Sequence, residues 1–210
     1  ILIGYQMKDI SDKLKNGEKY GLNISYITQE EQNGTGHAVA QAKGIIEDRF
    51  YCINGDMVIN AENLMNLNQD EKKMAMMVTE VEDCSNFGVV ESQNNYLASI
   101  VEKGMKGKGT INAGIYIFDK QIFEAIDGIG KSVRGEYELT DALQSIAENI
   151  RIVNHTGFWK DIGSPWDLIT ANEDYMENII EEKLGIIEDN VTIKGKLYLG
   201  KNSTIKSGTY

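Results

Sequence analysis

Four short stretches of this sequence carry side chains whose types and spacing suit chemistry on a polar or anionic ligand. The first is Gln29-Glu30-Glu31-Gln32-Asn33-Gly34-Thr35-Gly36-His37-Ala38, set between a strand-like and a helix-like segment. Glycines at such a junction let a ligand approach the backbone, and the helix N-terminus that follows favours a phosphate or a base edge. A plain tight turn uses the same residues. The second is Asn54-Gly55-Asp56, directly after the apolar run 50–53. A carboxylate at the carboxyl end of a central strand sits where α/β sheets bind ligands, and it is a natural Mg²⁺ ligand. A solvated turn aspartate is the alternative. The third is Val101-Glu102-Lys103, followed by Ile111-Asn112-Ala113-Gly114-Ile115-Tyr116. Glu102 can accept from sugar hydroxyls and Lys103 can hold a phosphate as a point charge; an exposed ion pair at a strand end explains them as well. The fourth is Trp159-Lys160-Asp161-Ile162-Gly163-Ser164-Pro165-Trp166, in which Asp161 precedes a capped helix start or serves only the turn before it. His37 and His155 lack metal-ligand spacing and read as structural.

The elements that must position these residues alternate over the first half of the chain. Residues 24–28 read as a strand, and 37–43 as a helix rich in good helix formers. Residues 50–53 form a short, continuously apolar strand of the kind found inside a covered parallel sheet. Residues 63–72 read as a helix and 74–81 as a strand. This rhythm predicts an α/β fold with a Rossmann-like mixed, mainly parallel sheet and helices on both faces. Residues 87–91, 98–102 and 111–118 are strands with few helices between them, an added mixed region that carries part of a pocket. Residues 139–149 form a helix with Thr140 and Asp141 near its start. Ser164-Pro165-Trp166-Asp167 supplies a capping serine, proline at the first helical position and an acid in the first turn. That helix is expected to run to about Lys183, with Gly185 as its stop.

From residue 187 the apolar period becomes six. Ile187, Val191, Ile193, Leu197, Leu199, Ser203, Ile205 and Thr209 fall into frames 187–192, 193–198, 199–204 and 205–210. A six-residue repeat marks a left-handed parallel β-helix, whose triangular coil needs three frames. Two ordinary strands with turns at Gly195 and Gly200 are the plainer alternative. The expected division is therefore one domain over 1–185 and the start of a hexapeptide-repeat β-helix over 186–210.

Composition bounds the function classes. The chain has 210 residues, enough to bury a real core, and a formal net charge of −11. Such an acidic balance argues against a broad nucleic-acid footprint, which needs a basic face. No apolar run reaches the roughly 18 residues of a membrane span, and no basic-then-apolar leader opens the chain. Cys52 and Cys84 make neither a disulfide framework nor a metal cluster, which suits reduced thiols in the cytoplasm. The chain opens on Ile1 rather than Met, which suggests a piece of something longer.

In order, Gln-x-x-x-x-Gly-Thr-Gly-His-Ala (29–38), Asn-Gly-Asp (54–56), Asn-Phe-Gly-Val-Val (86–90), Val-Glu-Lys (101–103), Asn-Ala-Gly-Ile-Tyr (112–116), Gly-Glu-Tyr-Glu-Leu-Thr-Asp (135–141) and Trp-Lys-Asp-Ile-Gly-Ser-Pro-Trp (159–166) resemble the sugar-1-phosphate nucleotidylyltransferases. The pattern is most similar to the two-domain N-acetylglucosamine-1-phosphate uridylyltransferase and glucosamine-1-phosphate acetyltransferase type. The resemblance covers nearly the whole chain. It implies that Gln29 reads the pyrimidine edge of UTP or dTTP, with Gly34 and Thr35 against the base. It implies Asn54 and Gly55 along the nucleotide site, and Gly88, Glu102 and Asn112 at the sugar, with 136–141 shaping the sugar end. Asp56 and Asp161 would hold Mg²⁺, and Lys103 would neutralise the sugar phosphate. The implied reaction makes UDP-N-acetylglucosamine and releases pyrophosphate. A thymidylyltransferase using glucose 1-phosphate and dTTP, and a non-catalytic nucleotide-sugar-binding subunit, are the alternatives. The resemblance also implies a homo-oligomer, a trimer through the β-helix, and an acetyltransferase site beyond this segment. Neither nucleic acid nor membrane is implied as a partner.

Three departures stand out. Gly104 replaces a proline common after the Glu-Lys pair, and some uridylyltransferases carry Asn where Asp161 stands. The family's Gly-rich phosphate loop with Arg and Lys is absent, so about the first quarter of the catalytic domain is expected to be missing and this segment alone to have little activity.

Overall fold

The chain mixes short strands and helices up to residue 81 and then passes through three strands with no helix between them among the described residues. The computed structural model describes residues 1–46, 48–70, 73–101, 105–177 and 179–210. Its elements begin with β1 (Leu2–Ile3), α1 (Met7–Leu14), β2 (Ile27–Thr28), α2 (Thr35–Ala40), β3 (Phe50–Ile53) and β4 (Met57–Ile59). Next come α3 (Ala61–Leu67), β5 (Met74–Val81), β6 (Val89–Gln93), β7 (Tyr96–Val101) and β8 (Gly109–Phe118). Then follow α4 (Gln121–Asp127), α5 (Leu139–Ser145), β9 (Ile150–Asn154), β10 (Trp159–Asp161) and α6 (Pro165–Met176). The last stretch holds β11 (Glu182–Lys183), β12 (Ile186–Ile187), β13 (Tyr198–Leu199) and β14 (Thr204–Ile205). Two units result: Ile1–Gly55 with Ala61–Thr156, and Asp56–Asn60 with Gly157–Tyr210.

The first unit is organised by β5 and β8. Residues 74–78 are buried without a break, which requires cover on both faces of a strand whose side chains alternate. Met74, Met76 and Val78 join Tyr116, Phe118, Ile122, Phe123, Leu139 and Leu143 in one cluster under α4 and α5. Ala75 and Met77 point the other way, and α3, with its buried Leu67, packs beside β5. Helices therefore cover both faces, as expected.

The sheet departs from the expected open, mainly parallel form. Its order is β3-β8-β5-β9-β7-β6, and β6 returns to pair with β8 through Val89 and Ile111, so the sheet closes into a barrel. Within it only β5 and β9 run parallel. Parallel neighbours need a long crossover, and β5 to β9 is a pair with α4 and α5 in the connection. By contrast, β6 and β7 are joined by Asn94 and Asn95 alone, at φ 53° and 65°. Two left-handed residues make the turn whose twist matches an antiparallel hairpin. The apolar run 50–53 is a correction too: β3 lies at the end of the strand order, antiparallel to β8, with Tyr51 and Ile53 exposed.

In the second unit β4 and β10 pair antiparallel and α6 follows. The helix ends at Met176 rather than near Lys183, because Glu182–Lys183 pairs in parallel with Tyr198–Leu199. Gly185 is not a helix stop. A Cβ there would stand 2.4 Å from the Ser203 carbonyl oxygen and 2.9 Å from that of Gly200, so glycine permits close chain-on-chain packing. Ile186 and Ile187 pair with Thr204 and Ile205, three six-residue frames further on. Beyond these two-residue parallel pairs, the Thr192 N–H donates to the Thr209 carbonyl at 3.0 Å and the Gly208 N–H to that of Asn190 at 3.1 Å; no extended left-handed β-helix is formed among the described residues.

Candidate active site

The expected residues gather into three groups. The first surrounds Gln29. The 33–36 backbone lies against segment 136–139: Gly36 N–H donates to the Tyr137 carbonyl at 2.8 Å, and Tyr137 N–H to that of Asn33 at 2.8 Å. Gly34 has φ 105°, and a Cβ on it would stand 2.6 Å from the Tyr137 carbonyl oxygen. Only glycine fits there without strain. The glycines of this loop thus serve chain packing, a purpose hidden in the sequence because Tyr137 is a hundred residues away. Thr35 Oγ1 accepts the Leu139 N–H at 3.0 Å, capping the first turn of α5 from outside that helix. Gln29 is 7% exposed, with its amide nitrogen near the Gly34 carbonyl and His37 Nδ1. Gln41 reaches the other ring nitrogen, and Tyr137 stacks on the imidazole. His37, Gln41 and Tyr137 were not foreseen as neighbours of Gln29; the four-residue spacing of His37 and Gln41 is the one local signal for them.

The second group links Gly88, Asn112 and Asn54. Asn112 N–H donates to the Gly88 carbonyl at 2.9 Å, and Asn54 N–H to the Gly114 carbonyl at 2.9 Å. Between them the β5–β8 register slips, from Met76 opposite Tyr116 to Val78 opposite Asn112. Gly114, at φ 74°, lies within the slip. This is a bulge, a device that re-aims strand residues and is common beside active sites. The Asn112 side chain braces it: Oδ1 accepts the Gly114 N–H at 3.0 Å and Nδ2 donates to the Tyr116 hydroxyl at 2.6 Å. Gly55 follows Asn54, exposed, with open space where a Cβ would stand.

The third group is in the second unit. Asp161 pairs with Met57, and Ile162 N–H donates to the Asp56 carbonyl at 2.9 Å. Two acids distant in sequence are thereby adjacent across one antiparallel pair. Asp56 precedes the first paired residue and is exposed. The Asp161 and Asp167 carboxylates both lie beside Gly163. Ser164 does not cap α6 as expected; its hydroxyl donates to Asp167 Oδ2 at 2.7 Å instead. Glu102 and Lys103 lie outside the described residues.

The carboxylate oxygens that Asp56 and Asp161 carry are of the kind that suits a hard divalent cation. Mg²⁺ binds through one or two carboxylates and fills its shell with water and phosphate oxygens. Among the described residues no group of three or more acids, histidines or cysteines is placed to hold a metal ion. Neither cysteine suits a nucleophile: burial pushes the Cys52 thiol up to about 11, and Cys84 is enclosed.

A nucleotidyl transferase family model matches residues 1–178. The bifunctional protein GlmU of Methanococcus maripaludis is 38% identical over 212 residues, covering 98% of this chain and 50% of that protein. A bifunctional sugar-1-phosphate nucleotidylyltransferase/acetyltransferase of Sulfurisphaera tokodaii is 38% identical over 204 residues, covering 92% and 49%. The chain spans about half the length of these curated relatives. Among solved structures, a candidate glucose-1-phosphate thymidylyltransferase from Bacillus anthracis, complexed with sucrose, superposes with TM-score 0.70 at 26% identity, covering 87% of this chain and 77% of that one. No described helix is long and apolar enough to cross a membrane.

Proposed function

The chain belongs to the nucleotidyl transferase family, and from that premise we propose that it is the greater part of the catalytic domain of a sugar-1-phosphate nucleotidylyltransferase. The observation that carries the reading is the β4–β10 pairing, which sets Asp56 beside the Asp161 strand in a chain that the family model matches over residues 1–178. The reaction is an in-line displacement. A phosphate oxygen of the sugar 1-phosphate bonds to the α-phosphorus of the nucleoside triphosphate, and the α–β bridging oxygen leaves with pyrophosphate. The nucleophile is already anionic, so no general base is required. Positioning and charge neutralisation supply the catalysis.

Asp56 and Asp161 are the residues that would hold Mg²⁺. When bound, Mg²⁺ supplies charge neutralisation between the two phosphates. Gln29 meets the base, with Gly34 and Thr35 forming the loop beside it. Asn54 and Gly55 line the nucleotide. Gly88, Asn112 and Glu102 meet the sugar, and Lys103 offsets the charge of its phosphate. Residues 1–185 form this domain. Residues 186–210 open a hexapeptide β-helix, which the three-frame register between Ile187 and Ile205 supports. Further coils would stack on it, with trimerisation and an acetyltransferase site as in proteins named bifunctional.

UTP with N-acetylglucosamine 1-phosphate is the proposed pair. The likeness to the Bacillus anthracis structure favours dTTP with glucose 1-phosphate as the second reading. The test is pyrophosphate release by the full-length protein with each pairing, with and without Mg²⁺. Release dependent on sugar 1-phosphate and Mg²⁺, highest with UTP and N-acetylglucosamine 1-phosphate, is expected. The absence of release with every pair would overturn the assignment.

A further inference from the structure

The Gln29 amide nitrogen is 3.3 Å from the Gly34 carbonyl oxygen and 3.0 Å from Nδ1 of His37. Its Oε1 accepts no hydrogen bond among the described residues. Across the ring, the Gln41 amide nitrogen is 3.2 Å from His37 Nε2 and 3.2 Å from the His37 carbonyl oxygen. Two amide nitrogens therefore face two ring nitrogens. A neutral imidazole accepts at only one nitrogen, because the other carries the proton. One amide must turn its oxygen to the ring.

The two amides differ in freedom. Gln29 is enclosed, and turning it would set its oxygen against the Gly34 carbonyl. Turning Gln41 would likewise bring its oxygen near the His37 carbonyl, now 3.2 Å from its nitrogen, but Gln41 is half-buried, one helical turn from His37, and its side chain has room to move away from that carbonyl, which enclosed Gln29 lacks. Gln41 is the one that turns. The Tyr137 ring stacks on the imidazole with an interplanar angle of 29°, which limits the ring's own rotation.

We infer that His37 is a positioning residue that sets base selectivity. It carries its proton on Nε2 and accepts from Gln29 at Nδ1. Both Gln29 N–H groups are then occupied, and Oε1 is the one group left to present. An acceptor presented alone selects a ring N–H. Uracil and thymine carry that N–H at N3, whereas cytosine of the same size offers a lone pair there. The inference rests on the proposed role of Gln29 at the base.

The test uses the full-length protein, ¹⁵N-histidine NMR, and steady-state kinetics with UTP and CTP. The His37 ring should be protonated at Nε2, its signals being assigned by their loss in His37→Phe. His37→Phe should raise KM for UTP about tenfold and narrow the preference over CTP by a similar factor, with kcat within about twofold. His37→Asn should restore most of the preference, since its Oδ1 can accept where Nδ1 did. A proton on Nδ1, or an unchanged UTP-to-CTP ratio in His37→Phe, overturns the inference. Gln29→Ala separates the two layers: if it leaves nucleotide KM unchanged, the base-contact reading fails even where the tautomer is as stated. Should the His37 variants not fold, the wild-type tautomer decides, its ring signals then assigned by through-bond correlation to the His37 backbone.

Discussion

Around Gln29 the chain is held by side chains and by close backbone packing, whereas the Asp56 and Asp161 segments are joined by backbone strand pairing. In the first region Gly34, Thr35, Gln29, His37 and Gln41 each touch a specific atom, and a change of residue type removes a contact. In the second, the Ile162 N–H and Asp56 carbonyl form the link, and those groups are the same for any side chain. The difference separates stability from chemistry. Substitution in the Gln29 loop should disturb folding and binding together, while Asp56 should be removable at little structural cost.

Asp56→Ala is the strongest way to break this contrast. Turnover of the full-length protein should fall by about 10²–10³-fold, the scale of losing one strong electrostatic contributor. Its melting temperature should stay near wild type, because the β4–β10 pairing is made by backbone. A large drop in melting temperature would show that the carboxylate is part of the scaffold. Gly34→Ala should do the reverse. A residue forced to φ 105° with a Cβ 2.6 Å from the Tyr137 carbonyl should cost about 1–3 kcal/mol, read by denaturant midpoint. An unchanged midpoint would mean that the 33–36 and 136–139 segments are not bound as described.

A smaller effect lies in the tail. Lys206, together with the Ser207 N–H, holds the half-buried Glu188 carboxyl below its ordinary value of 4.5. A depressed carboxylate stabilises above its unfolded pKa, and that contribution is lost as pH falls through the folded value. Lys206→Ala should therefore melt slightly below wild type at neutral pH in low salt. The two should converge as pH falls below 4.5 and through the lowered folded-state value, and also in about 1 M salt, where surface pairs are screened. A gap that persists in acid would point to packing rather than charge.

The strand at 74–81 and the three strands of the middle region were legible in the sequence, because a run of apolar residues or a period of two survives any topology. Their pairing was not. The antiparallel barrel follows from Asn94 and Asn95 taking left-handed turns and from the reach of the ten-residue β8. Local pattern says which segments are extended, not which neighbour each will find. The reading of 50–53 as a central strand failed for the same reason: four apolar residues look alike at an edge and in the middle. Gly185 shows the limit for single residues, since a glycine that ends a helix and one that admits a neighbouring backbone are the same letter.

What the sequence determined by itself is the chemistry available: the Gln29 loop, the Asn-Gly-Asp and Trp-Lys-Asp stretches, and the six-residue period after residue 187. Side-chain identity and spacing are written there directly. What only the tertiary structure decided is which of them meet. Gly34 found Tyr137, Asn112 found Gly88, and Asp56 found the strand of Asp161, all through contacts between segments distant in the chain. Such contacts depend on how whole elements pack, and no local window of residues contains that information.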